Sequence, residues 1–139
     1  MYTRNKILYK KGYKYQLVEG LSSLVNIYPV KTIISEYIIL STFGELYLKR
    51  GYAWDGASGA IDTPSFMRGS AVHDALYQLM RLGLLDADKY RKIADKELRN
   101  MCKEDGMGIF RAAYVYKAVR LLGSKHVKPS SKKLTFTAP

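Results

Sequence analysis

Apolar residues in the second half of the chain recur at intervals of three and four positions, which is the spacing of one face of an α-helix. This pattern predicts three helices. Glycines mark the predicted ends, and capping residues mark the starts of the first two helices. The predicted bounds are Thr63 or Ser65 beside Pro64 to Gly83, Asp86 or Asp88 to Gly106, and residues 109–122 before Gly123.

The first half of the chain contains short segments rich in β-branched and aromatic residues, which is typical of strands. The predicted strands are residues 13–18, 24–28, 37–43 and 46–49. Gly44 and Glu45 separate the last two strands, which is the pattern of a tight hairpin. We therefore expect an α+β fold in which a small antiparallel sheet from the N-terminal half packs on three helices.

A glycine-rich stretch, residues 51–64, separates these two halves and is predicted to be a loop. At 139 residues the chain is long enough for one hydrophobic core but not for two. We expect a single globular domain over residues 1–123, β-rich at 13–50 and helical at 65–123. Residues 124–139 are basic and interrupted by proline, which predicts a flexible tail.

The composition excludes several classes of protein. No stretch approaches the roughly 20 apolar residues of a membrane-spanning helix, and no apolar segment follows the basic N-terminus as it would in a signal peptide. We therefore expect a soluble chain that is not exported. Cys102 is the only cysteine, which excludes an internal disulfide, and two histidines do not supply the usual ligands of a structural zinc site.

The formal charge of +11 lies at the two ends of the chain. Residues 1–18 carry five basic and no acidic side chains, and residues 106–139 carry seven basic and none acidic. Such ends favour anionic partners: nucleic acid, phospholipid headgroups or an acidic protein surface. Solubility alone also accounts for them, and no motif that reads nucleic-acid sequence accompanies them.

The strongest candidate chemistry lies on the first predicted helix. His73 and Tyr77 are four positions apart and share a face near the apolar stripe, whereas Asp74 points about a quarter turn away. A neutral imidazole in a partly buried helix can act as a general base, and an adjacent carboxylate aimed elsewhere can hold a hard cation. The alternative is a structural histidine in the core beside a solvent-facing aspartate.

Two further features bear on this chemistry. The loop at 51–64 has carboxylates and flexible glycines that could supply oxygens to a cation or donors to an oxyanion, although it could also be a plain turn. Asp95 lies among core positions of the second helix, so it either pairs with Arg91 or Arg99 or turns inward to another helix. In the third helix we expect an inner side of Ala112, Ala113, Tyr116 and Val119, with Lys117 and Arg120 further out.

Four segments together resemble the phage and prophage family known as domain of unknown function 1353. The resemblance covers residues 13 to 123 and implies a bacteriophage or prophage origin, with localisation in the host cytoplasm or the virion. It implies no established activity. The segments are residues 51–58, 73–77, 91–95 and 116–123.

A second resemblance concerns the site. The His-Asp-x-x-Tyr run at 73–77 and the Ala-Asp pair at 94–95 are similar to the two site helices of the phospholipase A2 domain in parvovirus minor capsid proteins. That resemblance implies a phospholipase A2-like helical core and Ca²⁺-dependent hydrolysis of a phospholipid ester. The implied roles are His73 as base, Asp95 as its orienting carboxylate, Tyr77 as a hydrogen-bond donor to Asp95 or a brace, and Asp74 with the loop around Asp55, Gly56 and Ser58 as calcium ligands.

The chain also departs from that pattern. Trp54 and Asp55 interrupt the loop where the calcium loop has closely spaced glycines, and Leu98 replaces an aromatic residue. The sequence thus supports two main hypotheses. The first is a calcium-dependent phospholipase that meets anionic lipid through its basic ends. The second is a non-enzymatic phage virion protein or host-directed binding protein, in which the His-Asp-Tyr cluster is structural.

Overall fold

The computed structural model describes residues 9–10, 15–56 and 63–129, and within them it shows the expected α+β fold. Two small antiparallel sheets precede three helices. The strands are β1 Tyr9–Lys10, β2 Tyr15–Leu17, β3 Leu21–Leu24, β4 Ile33–Ile34, β5 Ile38–Leu40, β6 Glu45–Leu48 and β7 Ala53–Trp54. The helices are α1 Pro64–Arg81, α2 Ala87–Glu104 and α3 Ile109–Leu122, followed by a short 3-10 helix, Ser124–Val127.

The larger sheet has the strand order β3-β6-β5-β4. Its β5–β6 hairpin confirms the predicted turn, with Ile38 opposite Leu48 and Leu40 opposite Leu46. These four side chains are fully buried on one face, which is the alternation expected of a half-buried sheet. The predicted strand at 24–28 is wrong, because the chain pairs with β6 earlier, over Leu21–Leu24, and then leaves the sheet.

The smaller sheet, in the order β1-β2-β7, corrects the predicted loop at 51–64. Ala53 and Trp54 form a strand that pairs with Gln16 and Tyr15 of β2. Pro64 is already the first residue of α1, where a proline costs no hydrogen bond. Residues 57–62, which include Ser58, lie outside the described part of the chain.

The predicted helix bounds are confirmed to within two or three residues. Asp86 caps α2, since its carboxylate accepts a hydrogen bond from the backbone amide of Asp88. The α1 and α2 helices approach closely at Gly69, where an added Cβ would lie 3.2 Å from both the Cys102 sulfur and a Leu98 methyl group. Among the described residues, no helix is long and apolar enough to cross a membrane.

The third helix packs through a narrower strip than the sequence predicts. Ala112 is fully buried, but Ala113 is exposed and Tyr116 and Val119 are only half-buried. Because α3 packs mainly against α2 and the 3-10 helix that follows it, one side is covered and the rest faces outward. Its inner side packs with Leu98 and Cys102 in a small second core.

The ordered fold continues beyond Gly123, where the sequence pattern places the start of a basic tail. Val127 in the 3-10 helix is buried in the main core. The Arg81 guanidinium also donates a hydrogen bond to the carbonyl of His126, over 2.9 Å. These contacts hold the chain after α3 against the end of α1, while residues 130–139 lie outside the described part.

A buried ion pair fixes the start of α1 against the end of α2. The Arg68 side chain is 4% exposed, and its guanidinium donates two hydrogen bonds to the Asp105 carboxylate, which is 8% exposed. Glu104 accepts a third bond over 2.8 Å but is 59% exposed. Burial alone would lower the pKa of Arg68, but the bonds from Asp105 and Glu104 outweigh it and keep the side chain charged.

The Arg68→Met substitution is expected to lower the free energy of unfolding by about 3 kcal/mol, because it leaves the Asp105 carboxylate buried without its cation. The matched control, Glu104→Gln, removes the solvent-exposed partner and should cost less than about 1 kcal/mol. Urea denaturation at neutral pH measures both values. Equal losses for the two variants would contradict this assignment.

Candidate functional site

The short connection between α1 and α2 brings His73 beside Asp95. The helices are joined by residues 82–86 and pack along their lengths. The Nε2 atom of His73 lies 2.7 Å from Oδ1 of Asp95, and the imidazole side chain is 12% exposed. The histidine and carboxylate that the sequence singles out therefore form one hydrogen-bonded pair.

Asp95 is completely buried, and side chains from three helices surround it. Its Oδ1 atom accepts hydrogen bonds from His73 and from the Tyr77 hydroxyl, the latter over 2.6 Å. Its Oδ2 atom accepts one from the Arg120 guanidinium of α3 over 2.7 Å, and a nitrogen of Arg91 lies 3.7 Å away. Of the two roles that the resemblance implies for Tyr77, a hydrogen bond to Asp95 or a brace, the structure shows the hydrogen bond.

These contacts determine the protonation of the site. Burial would raise the pKa of Asp95, but hydrogen bonds from His73, Tyr77 and Arg120 outweigh it, so the pKa lies below its usual value and the carboxylate is ionised at neutral pH. Burial and the bond to Asp95 raise the pKa of Tyr77, which stays a phenol. An ionised Asp95 must accept, so His73 Nε2 carries the proton and, in the neutral ring, Nδ1 carries the lone pair.

Arg120 is the residue of this cluster that the sequence analysis places wrongly. The helical pattern assigns it to the outer part of α3, yet its guanidinium reaches the buried carboxylate. Arg99, considered there as a partner of Asp95, instead lies over the Tyr116 ring at 4.8 Å. The sequence does place Asp95 among core positions, and a buried carboxylate requires a cation nearby. It does not show which arginine supplies that cation.

Arg91 joins the cluster to the end of α3. Its guanidinium donates to the carbonyls of Val119 and Arg120 over 3.2 and 3.3 Å, and to the Tyr77 hydroxyl over 3.3 Å. A cation at these carbonyls is favourable because the helix C-terminus is electronegative. Gly123 is required here, since an added Cβ would lie 2.6 Å from the Tyr77 hydroxyl.

Two of the predicted metal-binding residues, Asp74 and Asp55, lie near another buried phenol. The Tyr52 side chain is 1% exposed, and its hydroxyl donates to Asp74 Oδ2 over 3.4 Å. Burial raises the pKa of Tyr52 well above its usual value, and the negative charges of Asp74 and, more weakly, Asp55 add to this. Both carboxylates are therefore close enough for their charges to act on the Tyr52 hydroxyl.

This arrangement can be tested against the needs of Ca²⁺, which takes six to eight oxygen ligands. Asp74 and Asp55 supply carboxylates of the right kind, and Gly56 follows directly with a backbone carbonyl. Within the described ranges, however, no three acidic, histidine or cysteine side chains form a cluster that could hold a metal. The residues fit calcium in donor type, and most of the shell would have to come from backbone carbonyls and water.

Strand β7 is fixed beside α1 by aromatic side chains. The indole nitrogen of Trp54 donates to the Ser70 hydroxyl of α1 over 2.9 Å, and both side chains are buried. The Tyr52 and Trp54 rings are nearly parallel, with centroids 6.2 Å apart. The backbone that carries Asp55 and Gly56 therefore leaves the sheet from an anchored point next to the helix that carries Asp74.

Comparison with known proteins finds no relative: no family model, no curated protein and no solved structure matches this chain. The resemblances described from the sequence therefore stay predictions.

The Asp95→Asn substitution is expected to cost about 3 kcal/mol of stability at pH 7, because it removes a buried charge that faces two guanidinium groups. A carboxylate whose pKa is depressed in the fold stabilises the protein above its unfolded pKa and loses that contribution as the pH falls through the folded value. The difference between wild type and variant should therefore shrink below about pH 4. Denaturation curves of wild type and Asp95→Asn across this pH range test the prediction, with Asp88→Asn at an exposed position as control. A difference in the free energy of unfolding that does not change with pH would contradict it.

The Arg120→Met substitution should destabilise the protein by about 2 kcal/mol, since Asp95 keeps only the more distant Arg91 as a cationic neighbour. Lys117→Met on the same helix removes a charge from an exposed position and should change stability by less than about 0.5 kcal/mol. Thermal and urea denaturation of both variants measure the contrast. If both have the same stability as wild type, Arg120 does not neutralise Asp95.

Proposed function

We propose that the chain is a phage-encoded ester hydrolase of phospholipase A2 type, acting on a phospholipid with His73 as the base that activates water. One observation carries the proposal. Asp95 is ionised and buried, and it accepts from Nε2 of His73, which leaves Nδ1 as the ring atom able to take a proton. A base with its own orienting carboxylate is what ester hydrolysis by water requires.

In the proposed step, the proton transfer takes place between His73 Nδ1 and a water molecule. Nδ1 removes a proton from the water while the water oxygen attacks the ester carbonyl carbon. The tetrahedral intermediate then collapses and the carbon–oxygen bond to the alcohol breaks. Nδ1 donates the proton that it took from water to the departing alcohol oxygen. Asp95 stays ionised throughout and stabilises the transient imidazolium, as an orienting carboxylate does in hydrolases with a histidine base.

In this proposal Asp74 and Asp55 would hold Ca²⁺, together with backbone oxygens at Gly56 and Ser58. When bound, the cation would polarise the ester carbonyl and stabilise the negative charge that develops on it. The support is that Asp74 accepts a hydrogen bond from the buried Tyr52 hydroxyl, and that Asp55 directly follows strand β7, which Trp54 anchors to α1. The protein would work in the infected host cell or in the virion.

A second candidate is a non-enzymatic phage protein, a virion component or host-directed binding protein, in which this cluster is structural. The observation that favours it is that Asp95 joins α1, α2 and α3 through His73, Tyr77 and Arg120. A carboxylate that joins three helices stabilises the fold whether or not the site is catalytic.

Fatty-acid release from mixed phospholipid micelles, with Ca²⁺ and then with chelator, separates the two candidates. The hydrolase proposal predicts calcium-dependent release that falls at least about a hundredfold in His73→Gln. His126→Gln, which changes the exposed second histidine, is the matched control and should retain full activity. Asp74→Asn should raise the Ca²⁺ concentration needed for half-maximal release, and Asp88→Asn should not.

Absence of release with Ca²⁺, or equal release from wild type and His73→Gln, would refute the hydrolase proposal. The structural candidate then predicts that His73→Gln lowers the free energy of unfolding by about 1 to 3 kcal/mol, since a buried partner loses its hydrogen bond. It also predicts a melting temperature that Ca²⁺ does not change. A shift on adding Ca²⁺ would contradict it.

A further inference from the structure

The side of α3 that faces away from the protein is unusually apolar. We define the outer face of α3 as Phe110, Ala113, Tyr114, Lys117 and Leu121. Phe110 is 90% exposed, Leu121 71% and Tyr114 69%. Lys117 is the only charged side chain among the five.

The spacing of these residues places them on one stripe. Phe110, Tyr114, Lys117 and Leu121 follow one another at intervals of four, three and four, which is one helix face. Ala112, the buried contact of α3, points to the opposite side. A surface helix normally carries polar residues at such outward positions, and a helix that is apolar on both sides is normally covered on both.

Charge indicates what covers this face. Over the described residues 106–129 there are five basic and no acidic side chains, and the whole protein has a net charge of +11. A second copy would bring like charges together across the contact. An anionic lipid surface offers headgroups to Lys117 and an apolar layer to Phe110 and Leu121, while a tyrosine at 114 suits the boundary between them.

Among the described residues, the two other most exposed apolar side chains do not lie together on one element. Val30 and Phe43 are 95% and 84% exposed, but each lies in a separate turn of the sheet half. Exposed Glu45 lies close to Phe43 in the chain, so that region is not uniformly basic. Single exposed hydrophobic residues of this kind are common on protein surfaces.

We propose that the outer face of α3 docks on anionic phospholipid bilayers, with Phe110 and Leu121 inserted among the acyl chains and Lys117 at the headgroups. The inference stands on α3 and does not require His73 to be catalytic. Under the proposed function, the same bilayer contains the substrate, so docking would bring the enzyme to it.

Vesicle co-sedimentation in the presence of chelator tests the docking without hydrolysis or calcium bridging. Wild type should bind vesicles of phosphatidylglycerol and phosphatidylcholine, and bind pure phosphatidylcholine vesicles much more weakly. Phe110→Gln should lower the partition coefficient about tenfold or more, because the polar glutamine side chain does not enter the apolar layer as the phenyl ring does. Phe43→Gln, which removes a similarly exposed ring from the sheet half, should bind like wild type.

A charge-reversal pair completes the test. Lys117→Glu should weaken binding to the anionic vesicles, whereas Lys96→Glu, the same change at an exposed position on α2, should weaken it less. Equal losses in Phe110→Gln and Phe43→Gln, or equal binding to both kinds of vesicle, would overturn the proposal. A dimer would also overturn it. If sedimentation velocity shows that the wild type is a dimer and that Phe110→Gln is a monomer, and vesicle binding is the same for both, the outer face of α3 joins two copies.

Discussion

Burial of the Asp95 charge is the constraint on which the helical half of the structure depends. An ionised carboxylate without exposure to water is stable only if donors and cations surround it. Here α1 contributes His73 and Tyr77, and α3 contributes Arg120. Because the donors come from different helices, the three helices have to meet at this carboxylate, and their relative positions are fixed around one residue.

The need of Asp95 for hydrogen-bond donors also determines how His73 is oriented in the candidate site. The cluster fixes the protonated nitrogen of His73 toward Asp95 and leaves the other ring nitrogen able to accept a proton. Asp74, the next residue along α1, turns instead toward Tyr52, which directly precedes strand β7. One helix therefore presents the His73 imidazole on one side and the Asp74 carboxylate on another, and Trp54 anchors the neighbouring strand to it.

Polar contacts also connect the helical half to the sheet. Glu97 of α2 is buried, and its carboxylate accepts a hydrogen bond from the backbone amide of Asn26 over 2.8 Å. Burial raises the pKa of this side chain, so its ionised form is less favoured than in water. The bond satisfies an amide just after strand β3, where the chain leaves the sheet. Asp95 and Glu97, two residues apart, thus connect α2 to the other helices and to the sheet.

The sequence by itself determined the fold class, the three helices and the β5–β6 hairpin, because these follow from local periodicity and from turn and capping residues. It also identified His73, Tyr77 and Asp95, whose contacts follow from one short helix connection. Only the tertiary structure showed that Arg120 reaches Asp95, that Ala53–Trp54 is a strand and that the outer face of α3 is exposed. Each of these depends on packing between distant parts of the chain, which helical or strand periodicity does not encode.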